Sequence, residues 1–104
     1  MSYVTAKLAR KKKVDAIASV LKQRIAESER LILIGESANY IKYTASNIDY
    51  TVIKTFRYKF TMQGIRHERL SIFGDKNQYK EWTRIKTISI KKWYDVLVKK
   101  GLAL

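Results

Sequence analysis

Twenty-two Lys and Arg stand against nine Asp and Glu in this chain of 104 residues, a formal charge of +13. Self-repulsion on this scale opposes any compact state, and a polyanion that neutralises it favours one. The chain folds only if apolar burial outweighs the repulsion. Hydrophobic residues make up 46% of it, with many Ile, Val, Leu and aromatic side chains. That is enough for a small core and argues against disorder. The length fits one domain. Nucleic acid is the polyanion that best suits such a charge. An acidic membrane surface or an acidic protein is the competing partner.

The absence of Cys excludes a disulfide framework and a thiolate metal site. It agrees with a reducing compartment, so an intracellular place, cytoplasmic or nucleoid-associated, is expected. The longest apolar run, Leu31-Ile32-Leu33-Ile34, is too short to span a bilayer. The basic start lacks an apolar stretch behind it, so no signal peptide and no membrane partner are expected. With no Pro and only four Gly, no linker, low-complexity tract or repeat is visible.

Residues 3–8 alternate Val4, Ala6 and Leu8 and read as a short strand. Arg10-Lys11-Lys12-Lys13 follows as a basic run. Val14, Ile17, Ala18, Leu21 and Ile25 then recur at spacings of three and four, which predicts an amphipathic helix over 13–28. The run Leu31–Ile34 predicts a strand covered on both faces. Strand, helix, strand in this order implies a right-handed βαβ unit. Residues 39–60 admit two readings. Ile41, Ala45, Ile48, Val52 and Phe56 form a helical stripe, while Tyr50, Val52, Phe56, Tyr58 and Phe60 alternate in a β-rich composition. The unbroken stripe favours helix. Segments 66–73 and 82–92 alternate around Leu70, Ile72, Ile88 and Ile90, and the polar stretch 74–81 joins them into a long hairpin. The expectation is a single small β-α-β-α-β-β domain of the α/β class over 1–92. Its four-stranded mixed sheet would carry two helices on one face. Residues 93–104 form a C-terminal extension, helix or tail.

Arg10, Lys11, Lys12 and Lys13 stand where a helix is expected to begin. Cations are mildly unfavourable at a helix N-terminus, so a phosphate contact explains them better than a structural role. Lys76, Asn77, Tyr79, Lys80 and Arg84 form a second basic region. On a projecting arm, amides reach groove edges, Tyr79 or Trp82 stacks, and cations hold phosphates. Lys42 adds a cation beside Tyr40, Tyr43 and Tyr58, the rings expected to be exposed for stacking. His67 is the only histidine and reads as a surface strand residue. No Ser/His/Asp set, no phosphate-cradling Gly loop and no spaced acid pair is visible, so no enzyme, cofactor, metal or small-molecule substrate is expected.

Four stretches resemble the Alba family of archaeal and eukaryotic nucleic-acid-binding proteins. Lys11-Lys12 matches its basic pair before the first helix. Ser28-Glu29-Arg30-Leu31-Ile32-Leu33-Ile34 is similar to its second strand. Leu70-Ser71-Ile72-Phe73-Gly74-Asp75 is similar to its third strand, and Arg84-Ile85-Lys86-Thr87-Ile88-Ser89-Ile90-Lys91-Lys92 to its closing strand. The resemblance implies a chromatin-type dimer that binds duplex DNA, and in some members RNA, without strong sequence preference. It places Phe56 and Phe60 at the dimer interface. The expected function is sequence-nonspecific binding of phosphates, DNA more than RNA, to coat or bridge a duplex. The rival readings are a structural RNA-binding protein of a ribonucleoprotein and, behind it, a small basic nuclease.

Overall fold

A computed structural model of the chain describes residues 3–102. Good helix formers, Lys, Arg, Ala and Leu, fill the N-terminal quarter, and one helix, α1, runs through Tyr3–Glu27. Its stripe of Val14, Ile17, Leu21 and Ile25 is buried. Each of those side chains stabilises the fold by about 2 kcal/mol. The stripe continues backwards into Arg10, whose Nη2 donates to the carbonyl of Thr61 at 2.7 Å. Segment 3–8 is therefore the first part of this helix, and the basic run lies inside the helix instead of ahead of it. The expected first strand does not form.

Five strands follow: β1 (Leu31–Ser37), β2 (Tyr40–Ser46), β3 (Ile53–Thr61), β4 (Gly64–Phe73) and β5 (Tyr79–Ile88). They form one antiparallel meander in the order β1-β2-β3-β4-β5. A second helix, α2 (Ile90–Lys99), closes the chain. The chain is thus a small α/β domain, but the order is α-β-β-β-β-β-α. No βαβ unit and no parallel pair forms among the described residues, so the four-stranded mixed sheet is corrected to a five-stranded antiparallel one.

The segment 39–60 shows why. A spacing of four fits a strand as well as a helix, because four is a multiple of two. Ile41 and Ala45 share the inner face of β2 on that basis. Ile48, which gives the stripe its helical look, is 80% exposed in the β2–β3 loop. That loop is held by side chains. Asn47 Oδ1 accepts the Val52 N–H at 3.0 Å, Asp49 Oδ1 accepts the Thr51 hydroxyl at 2.8 Å, and Tyr50 sits at φ 59°. The Thr51 hydroxyl also holds the Asp49 carboxyl below its ordinary range. At the β3–β4 turn only glycine fits: Gly64 has φ 144°, and a Cβ there would lie 2.5 Å from the Ile88 carbonyl oxygen.

Both helices pack on one face of the sheet. The core joins α1 to Ile41 and Tyr43 of β2, Phe60 of β3, Ile65 of β4 and Leu97 of α2. Ser89 caps α2 by accepting the Lys92 N–H at 3.1 Å. Leu97 is fully buried, so α2 belongs to the domain and the boundary expected at residue 92 falls inside it. Residues 103 and 104 lie outside the described residues. β1 is not covered on both faces: Ile32 and Ile34 are exposed on an edge strand. The Cα radius of gyration, 15.7 Å, exceeds the roughly 13 Å typical of this length. The long β4–β5 hairpin is what stretches the shape to 53 × 28 × 20 Å.

Candidate nucleic-acid interface

Alternation along each strand sends every second side chain away from the helices. Phe56, Tyr58 and Phe60 of β3 face the core, so Arg57 and Lys59 face the opposite way. Register carries the pattern across the sheet. Tyr40 pairs with Lys59, and Lys59 pairs with Arg66. In the next row Lys42 pairs with Arg57, Arg57 with Glu68, and Glu68 with Arg84. A third row holds Leu70 beside Trp82, and Lys80 pairs with Ile72 beyond it. The helix-free face is therefore basic and partly aromatic.

One carboxylate sits in the middle of it. Glu68 is 3% exposed. Arg57 Nε donates to its Oε1 at 2.7 Å, and Arg66 Nη2 approaches its Oε2 at 3.3 Å. Arg66 Nε is buried without a partner. The Arg57 guanidinium also lies 4.1 Å from the centroid of the Trp82 ring, and Lys42 Nζ lies 6.0 Å from that of Tyr40. Glu68 thus spends its charge on two arginines and locks one of them over an indole. Lys42, Lys59, Lys80 and Arg84 have no carboxylate partner among the described residues.

The helix-covered face carries the opposite chemistry. His67 stacks on Tyr58 with centroids 4.4 Å apart, and its Nε2 lies 2.7 Å from the Tyr43 hydroxyl. Burial depresses the His67 pKa and raises that of Tyr43, to which Tyr58 adds. His67 is therefore a half-buried packing residue and not a surface one. Of the three rings expected to be exposed, Tyr43 is buried and Tyr58 packs against the core. Only Tyr40 lies on the open face.

The candidate contacts fall into three groups. Lys42, Lys80 and Arg84 lie on the helix-free face. Lys76 and Asn77 occupy the β4–β5 turn, where Asn77 has φ 53°. Tyr79 stacks on Phe73 at 5.5 Å on the other side of the hairpin. The basic run on α1 is dispersed by the 100° step of the helix. Arg10 tethers the β3–β4 turn, Lys11 pairs with Asp15 at 2.8 Å, Lys13 lies 5.5 Å from the Tyr94 ring, and Lys12 is exposed. They do not converge on one anion. In mid-helix the backbone N–H groups are already bonded, so no free helix terminus stands behind these cations.

Phe60 is buried, and Phe56 stacks on Tyr43 at 5.5 Å. Both pack in or against the core of one protomer, which accounts for them without the interface expected of them. Sequence reasoning missed Arg57, Lys59, Arg66 and Glu68. The signal was the alternation of Thr55, Arg57 and Lys59 with Phe56, Tyr58 and Phe60, an amphipathic strand pattern hidden by the helical reading.

Among the described residues no group of three or more His, Asp or Glu is placed to hold a metal ion. No helix among the described residues is long and apolar enough to cross a membrane. Known protein families, curated proteins and solved structures give no match to the chain.

Proposed function

We propose that this chain binds nucleic acid without sequence preference, holding the phosphate backbone on the helix-free face of its sheet. One observation carries the reading: Lys42, Arg57, Lys59, Arg66 and Arg84 share this face with a single carboxylate, Glu68, that is already engaged by Arg57 and Arg66. Such a face attracts a chain of phosphates and rejects acidic groups of its own fold. Flexible Lys and forked Arg donors suit phosphate oxygens, and phosphate contacts carry no base information. The hairpin turn with Lys76 and Asn77 extends the same surface outward.

With Phe56 and Phe60 inside the protomer, a single chain suffices for this binding. That favours a monomer over the dimer implied by the resemblance, as in a basic protein seated on structural RNA.

Filter binding of random-sequence DNA and RNA over a salt series tests the proposal. With roughly six phosphates held, affinity falls on the order of a thousandfold between about 50 and 200 mM salt. A flat salt dependence overturns it.

A further inference from the structure

Resting on that nucleic-acid reading, we infer that the helix-free face takes single-stranded nucleic acid, with an unpaired base stacked on a platform built by Trp82 and Arg57. The two tryptophans of the chain show the contrast. Trp93 belongs to α2, lies edge-on to Tyr58 at 6.5 Å, and packs against the core. Trp82 lies on the opposite face, away from the core, in the middle of a basic surface. No core packing accounts for so large a ring there. Among the described residues its one aromatic or cationic partner is the Arg57 guanidinium.

That guanidinium is held from behind. The ion pair with Glu68 fixes its plane, and Arg66 on the second carboxylate oxygen fixes Glu68 in turn. Indole rings and guanidinium planes are both surfaces on which bases stack. Here both are ordered before any ligand arrives, which lowers the entropy cost of binding. Phosphate partners stand around the platform. Arg84 is opposite Glu68, Lys80 is two residues from Trp82 on the same face, Lys42 lies in the row of Arg57, and Lys59 lies in the row next to it. Tyr40, with Lys42 beside it, gives a second ring. Three strand spacings, about 14 Å, separate β2 from β5. A strand that reaches both rings crosses the basic rows between them.

Duplex gains little from such a surface. Its bases are already stacked and paired, so a ring meets only backbone, and the face offers it phosphate contacts alone. Unpaired bases gain the same phosphates and the stacking besides.

The test uses the full chain with a short oligo-dT, an oligo-U RNA of the same length and a random-sequence duplex. Trp93→Phe leaves Trp82 as the one emitting indole. Oligo-dT and oligo-U are expected to quench its fluorescence at saturation, and duplex to leave it nearly unchanged. Trp82→Ala is expected to weaken single-strand binding about tenfold while leaving duplex binding alone, and Trp82→Phe, which keeps a ring, to restore most of the loss. The ratio of oligo-dT to oligo-U affinity then sorts DNA from RNA. Absent quenching, duplex binding as tight as oligo-dT, or an equal loss for both in Trp82→Ala overturns the inference. Salt-dependent binding that survives any of those results leaves the broader reading standing. No binding to any of the three ends both. If circular dichroism shows Trp82→Ala unfolded, the quenching in Trp93→Phe decides.

Discussion

His67 and Glu68 are neighbours on β4 and face opposite ways. His67 lies among Tyr43, Tyr58 and Phe56 under the helices, and burial favours its neutral form. Glu68 lies on the helix-free side, almost wholly buried, and is held by two arginines. One residue along a strand thus separates a ring cluster that disfavours charge on His67 from a face that organises charge around Glu68. The helices make the difference. Where α1 and α2 cover the sheet, water is excluded and side chains meet in rings and aliphatic packing. Where nothing covers it, long Lys and Arg stems spread over the strands and keep their charged ends in water.

The largest effect that sharpens this contrast is expected at Phe60. Removing a buried ring costs its transfer energy and leaves a cavity, so Phe60→Ala lowers stability by about 4 kcal/mol. Urea denaturation followed by circular dichroism measures it. An exposed interface role would instead leave stability intact and change only the mass in solution.

Glu68→Gln comes next. It leaves Arg57 and Arg66 without their shared anion. Their partial exposure, 23% and 34%, allows water to compensate in part. The cost is expected to be about 2 kcal/mol, below the range for a fully buried pair. Because the change adds net positive charge to the face, affinity for nucleic acid is not expected to fall by the same factor. Equal losses of stability and affinity would mean that Glu68 serves the ligand directly.

A smaller effect is expected from pH at His67. Its folded pKa lies below the ordinary value of 6.5, so the unfolded chain takes up the proton first as pH drops. Stability from this group is complete above about pH 6.5 and is lost as pH falls from there toward the depressed native value. Tyr43, Tyr58 and Lys86 face it from neighbouring strands. Melting temperatures of wild type and His67→Phe across that window check it. The variant is expected to remove this part of the slope. An unchanged slope would assign it to other groups.

Much of the fold is legible in the sequence, for reasons that particular residues make plain. The stripe Val14, Ile17, Leu21 and Ile25 fits only a helix, because a spacing of three is followed there by spacings of four. Leu31–Ile34 and the 66–73 and 82–92 segments read as strands because they are short, bounded and β-rich, although the last of them stops at Ile88 and residues 90–92 open α2. Segment 3–8 misleads because Val4, Ala6 and Leu8 alternate within a stretch of strong helix formers. Segment 39–60 misleads because its spacings of four satisfy both periods. α2 is short enough to pass for a tail, although Ile90, Trp93 and Leu97 follow Ser89 at helical spacing. The site suffers most from the ambiguity at 39–60. Lys42, Lys80 and Arg84 are visible as single cations, but their shared face exists only once β3 and β4 lie between β2 and β5.

The central claim is that one face of the sheet, and not charge in general, holds the nucleic acid. Two charge-matched variants test it side by side. One replaces Lys42, Lys59 and Arg84 by Ala on the helix-free face, and the other replaces Lys7, Lys11 and Lys12 by Ala on α1. With both folded by circular dichroism, the slope of log affinity against log salt is measured for oligo-dT. The sheet variant is expected to flatten the slope by about three, one for each phosphate no longer held, and the helix variant to leave it nearly unchanged. Equal flattening in both, or flattening in the helix variant alone, would contradict the claim.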